Sequence, residues 1–221
     1  MSILDWIIIS GLSLAVLLLF LGTVYIVLTI KVSQLLKKLP KKRPKDAKKR
    51  KKITKKKNVF TLKRRKNIKR AIFFLVMALF STVGAFYARY YQMTTLTTSD
   101  GNAIIQSYFL TDEIEKGFVS LQEDASPEKI KNTLQERSSL LTSYGTTDPS
   151  AALTMEGKRL LKRYFTRIRE YGVNVYSLNV AQLEDAETVT KYLKDLEEIK
   201  EMQKKIFEQF GINQSALKKK N

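Results

Sequence analysis

Hydrophobic and polar positions divide the chain into stretches of unlike character. From Trp6 to Ile30 there are 25 residues without a charge, and from Ala71 to Tyr91 there are 21 with Arg89 as the only one. At 1.5 Å per residue these runs make about 37 Å and about 31 Å of helix, against a hydrocarbon core of about 30 Å. Both are expected to be transmembrane helices. Arg89 lies close enough to the end of its run to snorkel towards headgroups, and Tyr87, Tyr90 and Tyr91 beside it have the character of an interfacial aromatic belt. Trp6 suits the same role at the start of the first run. A cleaved signal peptide fits less well than a retained helix: residues 1–5 offer no side-chain cation, and the apolar run is about twice too long.

Beyond Tyr91 the apolar positions recur at helical spacing. A polar stretch over 92–101 reads as a linker, and four helices are expected after it. The first covers residues 102 to about 124, with Leu110, Ile114, Phe118 and Leu121 on one stripe. Ser126-Pro127 supplies an N-cap and a proline at the first helical position. It opens a helix to Tyr144 that carries Ile130, Leu134, Arg137, Leu141 and Tyr144. Asp148-Pro149 repeats that signal for a helix to Tyr171 with Gly172 as its C-terminal cap. The last, about 185–210, has Val189, Tyr192, Leu196, Ile199, Ile206 and Phe210 in a heptad pattern interrupted at Gln203, and Gly211 as its stop. Residues 173–180 (VNVYSLNV) alternate as a strand does, but a lone strand cannot satisfy its backbone groups, so an extended connector is expected there. The fold class is therefore all-α: a two-helix transmembrane hairpin followed by an antiparallel bundle of about four helices over 102–211 and a basic tail over 212–221.

Charge fixes the expected orientation. The formal net charge is +19, yet residues 31–70 hold 21 Lys/Arg and one acid, while 92–221 hold 18 bases and 19 acids. The connector between the apolar runs is short enough for the positive-inside rule to apply. It should be cytoplasmic, with the N-terminus and the C-terminal domain extracytoplasmic. With Pro40, Pro44 and few apolar side chains, it is expected to be largely disordered.

Its candidate contacts with anionic lipid at the inner leaflet are Lys48, Lys49, Arg50, Lys51, Lys52, Lys63, Arg64 and Arg65, with each cation near such a surface contributing about 1 kcal/mol. Ser33, Thr54 and Thr61 are sites where phosphorylation would weaken that contact. Nucleic acid is the weaker alternative, because Phe60 is the only aromatic interleaved with the charge and no stacking platform is visible. Small residues four apart, Gly11 with Ala15, Ser81 with Ala85, and Gly84 with Ala88, permit close helix pairing within the hairpin or in a homo-oligomer.

The chain has no Cys and no His, which removes disulfides, thiol chemistry and a histidine base. No phosphate loop, nucleophile elbow or zinc motif is present either. Carboxylate pairs such as Glu197-Glu198 fall in a Lys-rich helix and read as a solvated face. A non-enzymatic protein without cofactor is expected. The exposed feature that stands out is Arg159, Arg163 and Arg167, four apart on one helical face. It suits an anionic lipid or an acidic partner, or else pairs with Glu197, Glu198 and Glu201 of the last helix. The Lys-rich composition without Cys resembles that of a bacterial protein with a single membrane. The expected role is an assembly or scaffold subunit with a protein partner outside the membrane. A ligand-binding sensor and a subunit of an oligomeric pore are the rivals.

Overall fold

The computed structural model describes residues 3–40, 47–123 and 126–218. All regular structure among them is helical: α1 (Ile3–Lys38), α2 (Ala47–Thr94), α3 (Thr98–Gln122), α4 (Pro127–Tyr144), α5 (Met155–Tyr176), α6 (Val180–Glu184), α7 (Ala186–Phe210) and α8 (Gln214–Lys218). The chain divides into two compact units, Met1–Tyr91 and Gln92–Asn221.

In the first unit, α1 and α2 are each long and apolar enough to cross a membrane. Their large side chains point outward: Phe20, Leu79 and Phe80 are among many left exposed, whereas the buried positions are small, Ala15, Ala71, Ala78 and Ala85. The two helices meet through those small residues. A Cβ on Gly11 would lie 3.3 Å from that of Ala85, and one on Gly22 would lie 3.3 Å from the Leu75 side chain. The Ser81 hydroxyl donates to the Gly11 carbonyl at 2.8 Å. Tyr25 stacks on Phe74 with ring centroids 5.5 Å apart, and the Arg70 guanidinium lies 5.7 Å from the Tyr25 ring. Of the spacings seen in the sequence, Gly11 and Ala15 with Ser81 and Ala85 serve this contact. Gly84 meets nothing.

The basic connector departs from expectation. Residues 47–70 are helical and continuous with the apolar run that follows. Lacking a core, such a segment cannot fold by burial, but extending an existing helix carries no nucleation cost, and Lys, Arg and Leu are good helix formers. The hydroxyls of Thr54 and Thr61 donate to the carbonyls of Arg50 and Lys57, four residues back. Pro44, with the rest of 41–46, lies outside the described residues.

In the second unit α4 packs against α3 and α5, and α7 closes on both. Phe118, Leu134, Leu141, Leu161, Tyr164, Ile168, Leu196 and Ile206 form the centre of one core. Each such side chain contributes about 1.5–3 kcal/mol of burial. Pro127 opens α4 at the expected place, although the Ser126 side chain before it makes no capping hydrogen bond, and Gly211, at φ 66°, ends α7 as the spacing predicts.

Four local expectations are corrected. The linker shrinks to three residues, because α2 runs to Thr94 and Thr97 already caps α3. Asp148-Pro149 does not start a helix; α5 begins at Met155, with the Thr154 hydroxyl accepting from the Gly157 amide. Thr154 N–H, which a longer helix would need, donates instead to the Met93 carbonyl at 3.1 Å, and Ser150 N–H donates to the buried Asp100 carboxylate at 3.3 Å. Gly172 is not a cap but a buried position inside α5. Residues 173–176 continue that helix and 180–184 form α6, so no extended connector exists. Over residues 171–178 the large apolar side chains of Tyr171, Val175 and Leu178 are buried, while Val173 and Tyr176 face out.

Glycine sets the α4–α5 distance. A Cβ on Gly172 would fall 2.4 Å from Thr142 Oγ1 and 2.7 Å from the Ser138 carbonyl, and one on Gly145 would fall 2.7 Å from the Arg169 backbone nitrogen.

Candidate functional site

Most of the chain's formal net charge of +19 lies on one helical segment. Residues 47–70 carry 14 Lys/Arg and no acid. Lys48, Lys49, Arg50, Lys51, Lys52, Lys63, Arg64 and Arg65 are all exposed along α2. A helix turns 100° per residue, so these cations surround the axis and do not form one stripe. Apolar relief is small: Ile53 and Phe60 are half-buried, and Val59 and Leu62 border an open groove of about 480 Å³ with Arg50, Thr54 and Asn58. Because the helix is continuous, Lys48 lies about 33 Å along the axis from Arg70, while the attraction of an anionic surface is screened over about 8 Å. Lys63, Arg64 and Arg65 are within about 11 Å of Arg70 by the same rise.

The second candidate is the basic stripe of α5, whose three arginines differ in what they meet. Arg167 donates to Asp195 at 3.2 Å and to Glu198 at 3.1 Å, both on α7. Glu198 was among the expected partners; Asp195, one turn before it, is the second. Arg159 and Arg163 make no ion pair with a described carboxylate. They flank a shallow cleft of about 100 Å³ with Glu156, Leu160 and Gln209.

A third arrangement joins residues far apart in sequence and carries no local signal. Gln203, where the heptad breaks, is buried, and its amide donates to Tyr164 Oη at 2.7 Å and to Thr111 Oγ1 at 3.2 Å. Ser107 Oγ lies 2.7 Å from the same phenol and donates to the Ile104 carbonyl at 3.0 Å. α3, α5 and α7 thus share one polar node inside an apolar core. No buried side-chain polar atom among the described residues lacks a partner. Burial pushes the Tyr164 phenol up to about 12. Tyr171, which donates to the Tyr192 carbonyl, is raised further, by burial first and then by the nearby charge of Asp195.

Next to the node a cleft of about 250 Å³ opens between Tyr108, Asp112, Lys200, Gln203 and Phe207. Lys200 pairs with Glu115, and lies 3.7 Å from Asp112. Asp112 also takes Lys116 at 2.9 Å, and that bond holds its carboxyl below the usual range. These charges are mutually compensated and the node is satisfied, which is the pattern of a structural cluster that fixes helix register. Among the described residues no group of His, Cys, Asp and Glu is arranged to hold a metal ion.

No family model, no curated protein and no solved structure matches this chain.

Proposed function

We propose that the chain is a two-span integral membrane protein that serves as an assembly subunit of a bacterial cell-envelope complex. In this reading α1 and the apolar part of α2 form a hairpin in the bilayer, the basic turns face the cytoplasm, and the four-helix domain lies outside and receives a protein partner. The observation that carries it is the inverted burial of the first unit, with alanine and glycine between the helices and Leu, Ile and Phe outside. That is the packing of helices whose solvent is lipid.

The continuity of α2 changes how the basic segment would act. In this reading Lys63, Arg64, Arg65 and the cations beside Arg70 meet inner-leaflet headgroups. The more distant Lys48–Lys52 cluster reaches the same leaflet only if the helix bends over; otherwise it presents its charge to acidic groups of the complex.

The test uses the absence of cysteine. Single substitutions Lys52→Cys and Lys191→Cys are treated in intact cells with a membrane-impermeant maleimide. Labelling at position 191 and protection at 52 until the membrane is opened supports the reading; the reverse pattern refutes the orientation, and equal labelling refutes the spans. Purification in mild detergent then separates the roles. Stoichiometric envelope proteins support an assembly subunit, and a homo-oligomer alone supports the pore.

A further inference from the structure

The stripe on α5 has one end that is ion-paired and one that is not, and the unpaired end is the one bonded to Met93. Arg167 is satisfied by α7, whereas Lys158, Arg159, Lys162 and Arg163 make no ion pair with a described carboxylate. At the start of the same helix Met155 is 86% exposed, more than any other large apolar side chain among the described residues. Met155, Lys158, Arg159 and Lys162, with one acid, Glu156, surround an open cleft of about 670 Å³. The Thr154 amide is hydrogen-bonded to the carbonyl of Met93 in the last turn of α2. Met93 is two residues past Tyr91, so the covalent chain and this bond together keep the first turn of α5 close to the place where the second apolar run ends.

We propose that this end of α5 seats on the headgroups of the leaflet at which the second span emerges, with Met155 entering the interface and Lys158, Arg159 and Lys162 contacting lipid phosphates. The inference rests on reading α2 as a span and adds to it a lipid-binding face on the folded domain. Three features match the occupant. The cations carry an excess charge that Glu156 alone does not balance. A methionine among Lys and Arg side chains is the amphipathic combination that lies at a membrane surface. Lys162 is only about 10 Å along the axis from Met155, which keeps the cluster within a few screening lengths of the bilayer.

The experiment uses the full chain in nanodiscs of phosphatidylcholine, with or without phosphatidylglycerol. One fluorophore is attached at a time through Phe80→Cys, Met155→Cys or Lys191→Cys, and quenched by nitroxide lipids carrying the spin at headgroup or at chain depth. Position 191 is the reference, 19 residues before the Phe210 side chain that packs against Gly157. In discs containing phosphatidylglycerol, position 155 should be quenched by the headgroup spin at least about threefold more than position 191, and high salt should remove the difference. Each cation at such a surface is worth about fivefold in partition. Replacing Lys158, Arg159 and Lys162 together by Gln should therefore weaken the association at least about tenfold, whereas Lys158→Arg with Lys162→Arg should preserve it.

Quenching at 155 no greater than at 191 overturns the proposal. So does equal quenching in neutral discs, or in the triple variant. Chain-depth quenching at position 80 keeps the two readings apart. If it is absent the span itself is wrong, and if it is present while position 155 escapes, only the docking face is wrong.

Discussion

Alanine in place of glycine should have opposite effects at two helical positions of the second unit. An interior helix glycine costs about 1 kcal/mol relative to alanine, so the default expectation is a gain in stability. Gly101 in α3 should follow it, because a Cβ there meets nothing within 4 Å. Gly172 should not. Its Cβ would sit 2.7 Å from the Ser138 carbonyl, a backbone atom that moves only if α4 moves, and 2.4 Å from Thr142 Oγ1. Thr142 can rotate, but only by giving up its 2.8 Å bond to that same carbonyl. Relief therefore requires the helices to part, and overpacking of this kind costs about 1–3 kcal/mol.

Because the obstacle includes backbone at 2.7 Å, the upper part of that range applies, about 2–3 kcal/mol, and set against the propensity gain Gly172→Ala should lose about 1–2 kcal/mol net. For a domain of this size that lowers Tm by about 4–8 °C, while Gly101→Ala should raise it by up to about 4 °C. Thermal melts of the full chain in mild detergent, followed by near-ultraviolet circular dichroism of the core tyrosines, read the change in the second unit. The single tryptophan, Trp6, lies in the other. A Gly172→Ala protein that melts at or above the parent would refute the close approach of α4 and α5 and the reasoning built on it.

Alkali should weaken the second unit in a defined window. The Tyr164 phenol is held neutral by burial, with its folded value raised to about 12 from an ordinary 10. Its contribution is complete below pH 10 and lost as pH rises towards 12, about 2–3 kcal/mol in all. Chemical denaturation at those two pH values should show a smaller drop for Tyr164→Phe than for the parent. Arg167→Gln should lower stability by at most about 1 kcal/mol, since its carboxylate partners are partly exposed, and Arg163→Gln should leave the melt unchanged. Spin labels at positions 52 and 69 should give a narrow distance distribution near 25 Å, about 17 residues of helical rise; a broad one would mean that the basic segment is not helical.

The apolar stripes and two of the termini were legible because they rest on local chemistry. Pro127 and Gly211 act within one turn through their own backbone preferences, which do not depend on what packs nearby, whereas the cap expected of the Ser126 side chain does not form. Asp148-Pro149 has the same local chemistry and failed, because distant groups, Asp100 and Met93, claim the amides of that loop. Gly172 was mistaken for a stop for a similar reason: glycine marks a cap and a close approach equally well, and only the partner helix distinguishes them. Residues 173–180 show how a period of two can mimic strand, since Tyr171, Val175 and Leu178 keep helical spacing beneath it. The break in the heptad at Gln203 was visible, but its meaning was not. Its partners, Thr111 and Tyr164, lie on other helices. For the basic face, spacing placed Arg159, Arg163 and Arg167 together and could not tell that only the last is paired across to α7.

The node at Gln203 also imposes an order in time. α4 and α5 are neighbours in sequence and can meet as soon as both are made. The bonds from Gln203 to Thr111 and from Lys200 to Glu115 join residues 92 and 85 positions apart. A ribosome delivers the chain from its N-terminus, so Thr111, whose hydroxyl already donates to the Tyr108 carbonyl within α3, must wait for the Gln203 amide until α7 has been synthesised. If the domain lies outside the membrane, α7 must also have crossed it. Throughout that interval Phe118 and Ile114 have no α7 to cover them, and the incomplete domain is exposed to proteases and to passing chaperones. Completion of this core is therefore set by arrival of the last helix, whatever the speed at which the first three assemble.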